Sequence, residues 1–351
     1  MSGGVDSAVA AYLLKLDGYD AVGVTLRTWV GEEGQESRCC EIDDARAAAE
    51  KIGIPYYAFN CVSAFREKVI GPFMDDYIRG LTPNPCIECN RFIKWEWMLY
   101  YAKVLGADLV ATGHYASVVR LSNGRYTVRK ALHAEKDQTY MLYKLTQEQL
   151  AATLMPLGKM SKSEVRKIAG EAGLSVASKP DSQEICFVPD GDYAGYIEKN
   201  HPGPLPGKGF FTDGEGRVLG THDGIIRYTV GQRKGLGLAL GRPAYVKRID
   251  AEKNEVVIGS ENDIRCRAVI CRDVRLMGTE SLTEGERIPC RAKVRYHHSA
   301  QTAWVESAGL DRVTVTFEEP LRSAAPGQSA VFYDSDDCVI GGGVISEAIF
   351  V

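Results

Sequence analysis

Ser2-Gly3-Gly4-Val5-Asp6-Ser7 stands at the head of the chain and runs straight into a helical pattern. Val5, Val9, Leu13 and Leu16 recur at helical spacing, with Ala8 and Tyr12 beside them. Two adjacent glycines let the backbone approach an anion closely, and successive N–H groups then point the same way. The helix start adds partial positive charge, and the two serines add hydroxyl donors. The stretch therefore reads as a phosphate cradle. It is not of the Walker type, because no Gly-Lys-Ser/Thr closes it. A glycine turn at a helix N-cap is the plain alternative.

Working outward, helix and strand signals alternate. A helix over about 5–17 leads to the apolar run Ala21–Val24, a helix over 43–52 leads to Tyr56–Phe59, and a helix over about 64–79 follows. After a proline-rich loop, a long helix runs to about Leu105, and Leu109-Val110-Ala111 enters Thr112-Gly113-His114. This is the pattern of an α/β protein with a doubly wound parallel sheet, whose ligands sit at the carboxyl ends of strands. Ser2–Ser7 and Thr112–His114 both fall at such ends. A cradle of this kind follows a buried strand, and none stands before Ser2. The first strand of the sheet is therefore expected to be missing, through a late-assigned start or a truncation.

Residues 146–175 read as two helices, the second opened by a capping box at Ser161-x-x-Glu164. Past Pro202 the texture changes to short β-like runs separated by Asp213-Gly214, Asp223-Gly224 and Glu252-Lys253-Asn254. Cys290–Tyr296 and Arg312–Phe317 alternate, and Gly341-Gly342-Gly343 reads as punctuation near the end. The expected organisation is a nucleotide-binding and catalytic domain over 1–203, a β-rich domain over 204–265, and a β-barrel over 266–351.

At 351 residues, 45% hydrophobic and 25% charged, the composition is that of a soluble globular protein of more than one domain. No apolar run spans a membrane and no secretory signal precedes the cradle, so a cytoplasmic protein is expected. Ten cysteines in such a chain are read as reduced thiols whose chemistry is local. A net charge of −4 excludes a globally basic nucleic-acid binder. Locally the balance reverses: Arg227, Arg233, Lys234, Arg242, Lys247 and Arg248 occur with no acid between them. Arg287, Arg291, Lys293, Arg295, His297 and His298 form a second cluster, with Tyr296 able to stack on a base. A solvated charged face is the alternative for either cluster.

Three cysteines sit where chemistry is plausible. Thr82-Pro83-Asn84-Pro85-Cys86-Ile87-Glu88-Cys89-Asn90 is a proline-stiffened loop ending in a helix, whose start favours thiolate at Cys89. Asp181-Ser182-Gln183-Glu184-Ile185-Cys186-Phe187 places Cys186 in a polar segment. Cys39-Cys40 precede a helix, and Cys61, Cys266, Cys271, Cys290 and Cys338 read as small core residues.

Ser-Gly-Gly-x-Asp-Ser resembles the signature of the PP-loop ATP pyrophosphatases. The full set, Ser2–Ser7, Asn84–Asn90, Thr112–His114, Lys136-Asp137-Gln138, Ser182–Cys186 and Gly231-Gln232-Arg233, resembles in order the bacterial and mitochondrial tRNA-specific 2-thiouridylases. That resemblance spans essentially the whole chain. It implies ATP, with Mg²⁺, held by Ser2, Gly3, Gly4, Val5, Asp6, Ser7, Leu26 and Gly113. It implies adenylation of the C2 oxygen of the wobble uridine, release of pyrophosphate, and sulfur carried as a persulfide on Cys186. Cys89 then resolves it as a Cys89–Cys186 disulfide. It also implies tRNA contacts at Asn84, Pro85, Cys86, His114, Lys136, Asp137, Gln138, Arg233, Lys234, Arg295, Tyr296 and Gln328. The expected partners are a tRNA with a wobble uridine and a sulfur-relay or cysteine desulfurase donor; a monomer is expected.

One position departs from the family's commoner form, which has Asp-x-x-Cys where this chain has Cys86-x-x-Cys89. Cys86, Cys89 and Cys186 could instead hold a [4Fe–4S] cluster with an open iron site, or a zinc ion, and spacing alone leaves these chemistries open. Two other functions compete: an amide-forming PP-loop synthetase, which needs no such cysteines, and a truncated, non-catalytic RNA-binding homologue.

Overall fold

A computed structural model describes residues 1–31, 41–180 and 185–351. Cys39-Cys40 and Ser182-Gln183-Glu184 lie outside the described residues. The chain forms two compact units. One comprises Met1–Ile70, Pro85–Gly191 and Asp336–Val339; the other comprises Gly71–Asn84, Asp192–Ser335 and Ile340–Val351.

The first unit opens with α1 (Val5–Leu16), β1 (Gly23–Arg27), α2 (Ile42–Ile52) and β2 (Tyr56–Asn60). β1 and β2 pair in parallel, Gly23 opposite Tyr56 and Arg27 opposite Asn60. β3 (Val110–Ala111) is followed by a hairpin of β4 (Ala116–Arg120) and β5 (Tyr126–Lys130), and β3 pairs in parallel with β6 (Thr153–Leu154). The parallel strands thus form two pairs, and the helix Glu96–Leu105 packs on both β1 and β3. Met1 lies along the edge of β1, where its amine donates to the Val24 carbonyl and its own carbonyl accepts from Thr25 Oγ1 at 2.6 Å.

The stripe read from the sequence of α1 is its buried face. Val5, Ala8 and Val9 pack with Val165 and Ala169 of the helix Lys162–Glu171, and with Leu157 and Leu174. Leu16, expected on the same stripe, is exposed at the helix end. The capping box at Ser161 and Glu164 is formed as expected. The β4–β5 hairpin was not anticipated, although its turn carries Asn123-Gly124, with Gly124 at φ 84°.

The second unit holds a four-stranded sheet of β7 (Gly209–Thr212), β8 (Val218–His222), β9 (Tyr245–Asp250) and β10 (Glu255–Gly259), in the order β8-β7-β10-β9. Phe211, Tyr228, Val246, Val256 and Ile258 form its core. Six further strands close a barrel: β11 (Arg265–Leu276), β12 (Arg287–Lys293), β13 (Gln301–Ser307), β14 (Arg312–Arg322), β15 (Ser329–Tyr333) and β16 (Val339–Phe350). Gly341-Gly342-Gly343, read as punctuation, instead lies inside β16. A Cβ on Gly341 would stand 2.4 Å from the Arg275 carbonyl oxygen, so glycine permits β11 and β16 to approach as the barrel closes. Cys266, Cys271 and Cys290 belong to the barrel core, where burial raises their thiol pKa values, that of Cys266 to about 11 and that of Cys290 to about 12. Cys61 and Cys338 are buried as well.

Candidate active site

The phosphate loop is built as its residues dictate. Gly3 adopts φ 77°, and a Cβ there would stand 2.6 Å from the Glu41 carbonyl oxygen, so no other residue fits. The Ser7 hydroxyl accepts from the Ser2 N–H at 3.0 Å, lies 3.2 Å from the Ser2 hydroxyl, and donates to the Gly4 carbonyl at 3.1 Å. Gly4 is the N-cap of α1 and offers no side-chain cap, which leaves the first-turn N–H groups to an anion. β3 delivers Thr112-Gly113-His114 against this turn: a Cβ on Gly113 would stand 2.7 Å from the Ser7 nitrogen. Leu26 is half-buried on β1, opposite Phe59. The first-turn N–H groups with Ser2 and Ser7 fit the polyphosphate of ATP, on a loop whose Gly3 packs directly against Glu41.

Two lysines flank the loop that sequence reading did not single out. Both carboxylate oxygens of Asp6 lie 2.8 Å from Lys162 Nζ, and the Tyr115 hydroxyl donates to Asp6 Oδ1 at 2.7 Å. Lys179 donates to the Gly3 carbonyl at 3.2 Å and to the carboxylates of Glu41 and Asp44. Partial burial opposes its charge, but the hydrogen bonds it donates to Asp44 and Glu41 outweigh that and hold its pKa above the ordinary lysine value. These partners lie more than a hundred residues apart in sequence, so no local pattern signals them.

His114 is buried, with Nδ1 2.9 Å from Thr112 Oγ1 and its ring 5.4 Å from that of Trp95. Burial, and secondarily the nearby Lys94 charge, push its pKa well below the ordinary value, so it is a neutral imidazole at pH 7. Burial, and secondarily the Lys94 charge, also depress the Met1 amine, to about 5. Asp137 is buried and accepts from the Thr139 hydroxyl at 2.9 Å. Gln138 exchanges two hydrogen bonds with Tyr115, 2.9 Å from the Tyr115 N–H to Oε1 and 3.0 Å from the Gln138 N–H to the Tyr115 carbonyl. Lys136 is half-buried beside them.

Within the same unit, Pro85 is buried, Cys86 exposed and Cys89 half-buried. The short helix Pro85–Glu88 runs into the wider turns of Cys89–Trp95. Glu88 pairs with the buried Lys144 at 2.6 Å, and Asn90 Nδ2 donates to the Met141 carbonyl at 3.0 Å, which pins the cysteine loop onto residues 141–144. Cys186 is half-buried, and the adjacent Phe187 meets Phe65 edge-on at 5.7 Å. Pro85–Glu88 and Cys89–Trp95 pack against this same stretch, the helix Val62–Phe65 and its continuation Arg66–Ile70. Cys86, Cys89 and Cys186 therefore ride on segments that share one neighbour. Among the described residues no three His, Cys, Asp or Glu side chains are grouped as metal ligands.

In the second unit, Arg233 and Lys234 are exposed on the loop after Gly231-Gln232, beside a cavity of about 390 Å³ that Arg233 and Arg242 line. Arg295 is turned inward: its guanidinium donates to the Val230 carbonyl at 2.6 Å and to Ser323 Oγ at 3.2 Å. Tyr296 is half-buried, with the Lys293 ammonium 5.7 Å from its ring centre. Gln328 Nε2 donates to the Thr82 carbonyl at 2.9 Å, two residues before the half-buried Asn84.

A phosphate loop at a helix start in an α/β unit, with β domains following, defines a PP-loop protein. Residues 1–190 match the family model described as the tRNA methyl transferase HUP domain, 199–260 its PRC-barrel domain, and 267–345 the aminomethyltransferase beta-barrel domain. The chain is 51% identical over 352 residues to the tRNA-specific 2-thiouridylase MnmA of Lachnoclostridium phytofermentans, covering 98% of each chain. It is 49% identical to that of Acetivibrio thermocellus, covering 98% of this chain and 97% of the relative. The chain belongs to the tRNA-specific 2-thiouridylase family. A solved structure of the U34-tRNA thiolase NcsA from Methanococcus maripaludis with its [4Fe-4S] cluster is 23% identical, with TM-score 0.34 over 58% of this chain and 65% of that one.

Proposed function

We propose that the protein 2-thiolates the wobble uridine of tRNA at the expense of ATP. The observation that carries this reading is one compact unit holding a phosphate loop together with Cys89 and Cys186, in a chain 51% identical to a named 2-thiouridylase. A uridine carbonyl is a poor electrophile. Transfer of AMP from ATP to the C2 oxygen releases pyrophosphate and turns that oxygen into a leaving group. The terminal sulfur of a Cys186 persulfide then attacks C2, and AMP leaves with the electron pair of the C–O bond. The Cys89 thiolate attacks Cys186 Sγ, forming a Cys89–Cys186 disulfide and releasing the uridine sulfur as thiolate. A dithiol reductant resets the pair, and a sulfur-relay protein or cysteine desulfurase reloads Cys186. Mg²⁺ arrives with ATP.

The domain reading remains 1–203 for this chemistry, 204–265 for tRNA contact and 266–351 for the barrel. Arg233 and Lys234 meet tRNA phosphates, and Asn84 to Cys86 meet the base, which must leave its stack to react. Among the described residues no helix is long and apolar enough to cross a membrane; the reading is of a cytoplasmic monomer. The test is anaerobic turnover with tRNA, ATP and a persulfide donor. One AMP and one pyrophosphate per thiouridine support the reading, whereas thiouridine formed without AMP contradicts it.

A further inference from the structure

We infer that Lys179 is a positioning residue of this site: it neutralises the Glu41 and Asp44 carboxylates that flank the phosphate loop, and so lets a polyphosphate occupy it. The inference rests on reading the loop as a nucleotide site. Glu41 and Asp44 stand at the start of α2 and pack on Gly3. A Cβ on Gly3 would stand 2.8 Å from Glu41 Cβ and 3.3 Å from Asp44 Cβ. The Glu41 N–H donates to the Ser2 carbonyl at 3.2 Å. Two carboxylates are thereby rooted beside a turn that offers its N–H groups to an anion. Unmatched, they repel a polyphosphate at a range that salt screens little.

Glu41 is the N-cap of α2, yet its side chain caps no helix N–H. Its carboxylate and that of Asp44 both accept from Lys179 Nζ instead. The same Nζ donates to the Gly3 carbonyl at 3.2 Å. An ammonium has three donors, so these three acceptors engage them all and leave none for a phosphate. The Gly3–Gly4 peptide is trans, so a Gly3 carbonyl held toward Lys179 turns the Gly4 N–H to the opposite side. The Lys179 backbone is fixed separately. Arg166 donates to the Ala177 carbonyl at 3.0 Å and to the Lys179 carbonyl at 2.9 Å, and the Lys179 N–H donates to the Val176 carbonyl at 3.1 Å. The Lys179 and Asp44 side chains are 26% and 48% exposed, so their pairing adds little to stability and its effect falls on the loop.

The alternatives are an ion pair that only braces the loop and an ammonium that binds phosphate itself. Equilibrium dialysis of ATP and of adenosine against the full chain separates the three. Lys179→Met is expected to weaken ATP binding about 10-fold, and to leave adenosine, which carries no phosphate, unchanged. Adding Glu41→Gln and Asp44→Asn to Lys179→Met is expected to restore ATP affinity to within about threefold of wild type, since no carboxylate is left to neutralise. A folded Lys179→Met that binds ATP like wild type, or that loses adenosine equally, overturns the inference. So does a triple variant that binds ATP no better than Lys179→Met, the result expected of a direct phosphate ligand. If Lys179→Met does not fold, Glu41→Gln with Asp44→Asn, Lys179 being kept, decides. ATP is then expected to bind at least as tightly as to wild type, and weaker binding overturns the inference. Wild type that binds no ATP contradicts the nucleotide reading itself, and the inference with it.

Discussion

Gly113 and Asp6 are in contact so close that a Cβ on Gly113 would stand 2.6 Å from the Asp6 carbonyl carbon. The end of β3 and the first turn of α1 are thereby locked together, 107 residues apart in sequence. Gly113→Ala forces that interface open. Such overpacking costs about 1–3 kcal/mol. The melting temperature and ATP affinity are both expected to fall, and an alanine variant with wild-type values of each contradicts the close approach.

Glu88 and Lys144 clamp the cysteine loop, and the Lys144 side chain is only 3% exposed. Glu88→Gln withdraws the charge facing a buried ammonium and is expected to cost about 1.5–3 kcal/mol in urea unfolding. Changing both residues, Glu88→Gln with Lys144→Met, is expected to cost less than the sum of the single changes. Additive costs contradict the pairing.

His114 gives a pH dependence with a definite sign. Its folded pKa is depressed, so below the unfolded value of about 6.5 the unfolded chain binds the extra proton and the folded chain does not. Stability from this group is complete above about 6.5 and falls as pH drops, by at most about 1.4 kcal/mol per pH unit. Unfolding free energies measured between pH 7 and 5 are expected to fall less steeply in His114→Gln than in wild type. Equal slopes contradict a buried neutral histidine.

What was legible in the sequence was local. The glycine turn at Gly3-Gly4, the buried face of α1, the Ser161 capping box and the hairpins of the second unit each follow from a few adjacent residues. Lys162, Lys179 and Lys144 carry no such signal, because their partners Asp6, Glu41 and Glu88 are brought to them only by tertiary folding. Arg295 likewise has partners that its neighbourhood in sequence does not signal. Its basic neighbours and Tyr296 suggest an RNA-facing cluster, yet its guanidinium is spent on the Val230 carbonyl and Ser323. The Asn123-Gly124 turn was available as a signal and marks a hairpin that the alternating helix–strand pattern obscured.

Arg233 and Lys234 are exposed, as a phosphate-binding pair must be. Replacing both with Ala is expected to weaken tRNA binding and to flatten the plot of log affinity against log salt by about 1.4–1.8 units, two phosphate contacts' worth. An unchanged slope makes the loop a solvated face. Arg295→Met is expected to weaken binding with little change of slope, since it acts by holding Val230 beside that loop.

The central claim is that Cys186 carries the sulfur and Cys89 resolves it. Peptide mass spectrometry of enzyme loaded with one persulfide, after a single anaerobic turnover with tRNA and ATP and no reductant, tests it most directly. The account predicts one Cys89–Cys186 disulfide per thiouridine in wild type, retained in Cys86→Ser. Thiouridine formed while Cys89 and Cys186 both remain thiols, or lost together with bound iron in Cys86→Ser, would contradict it.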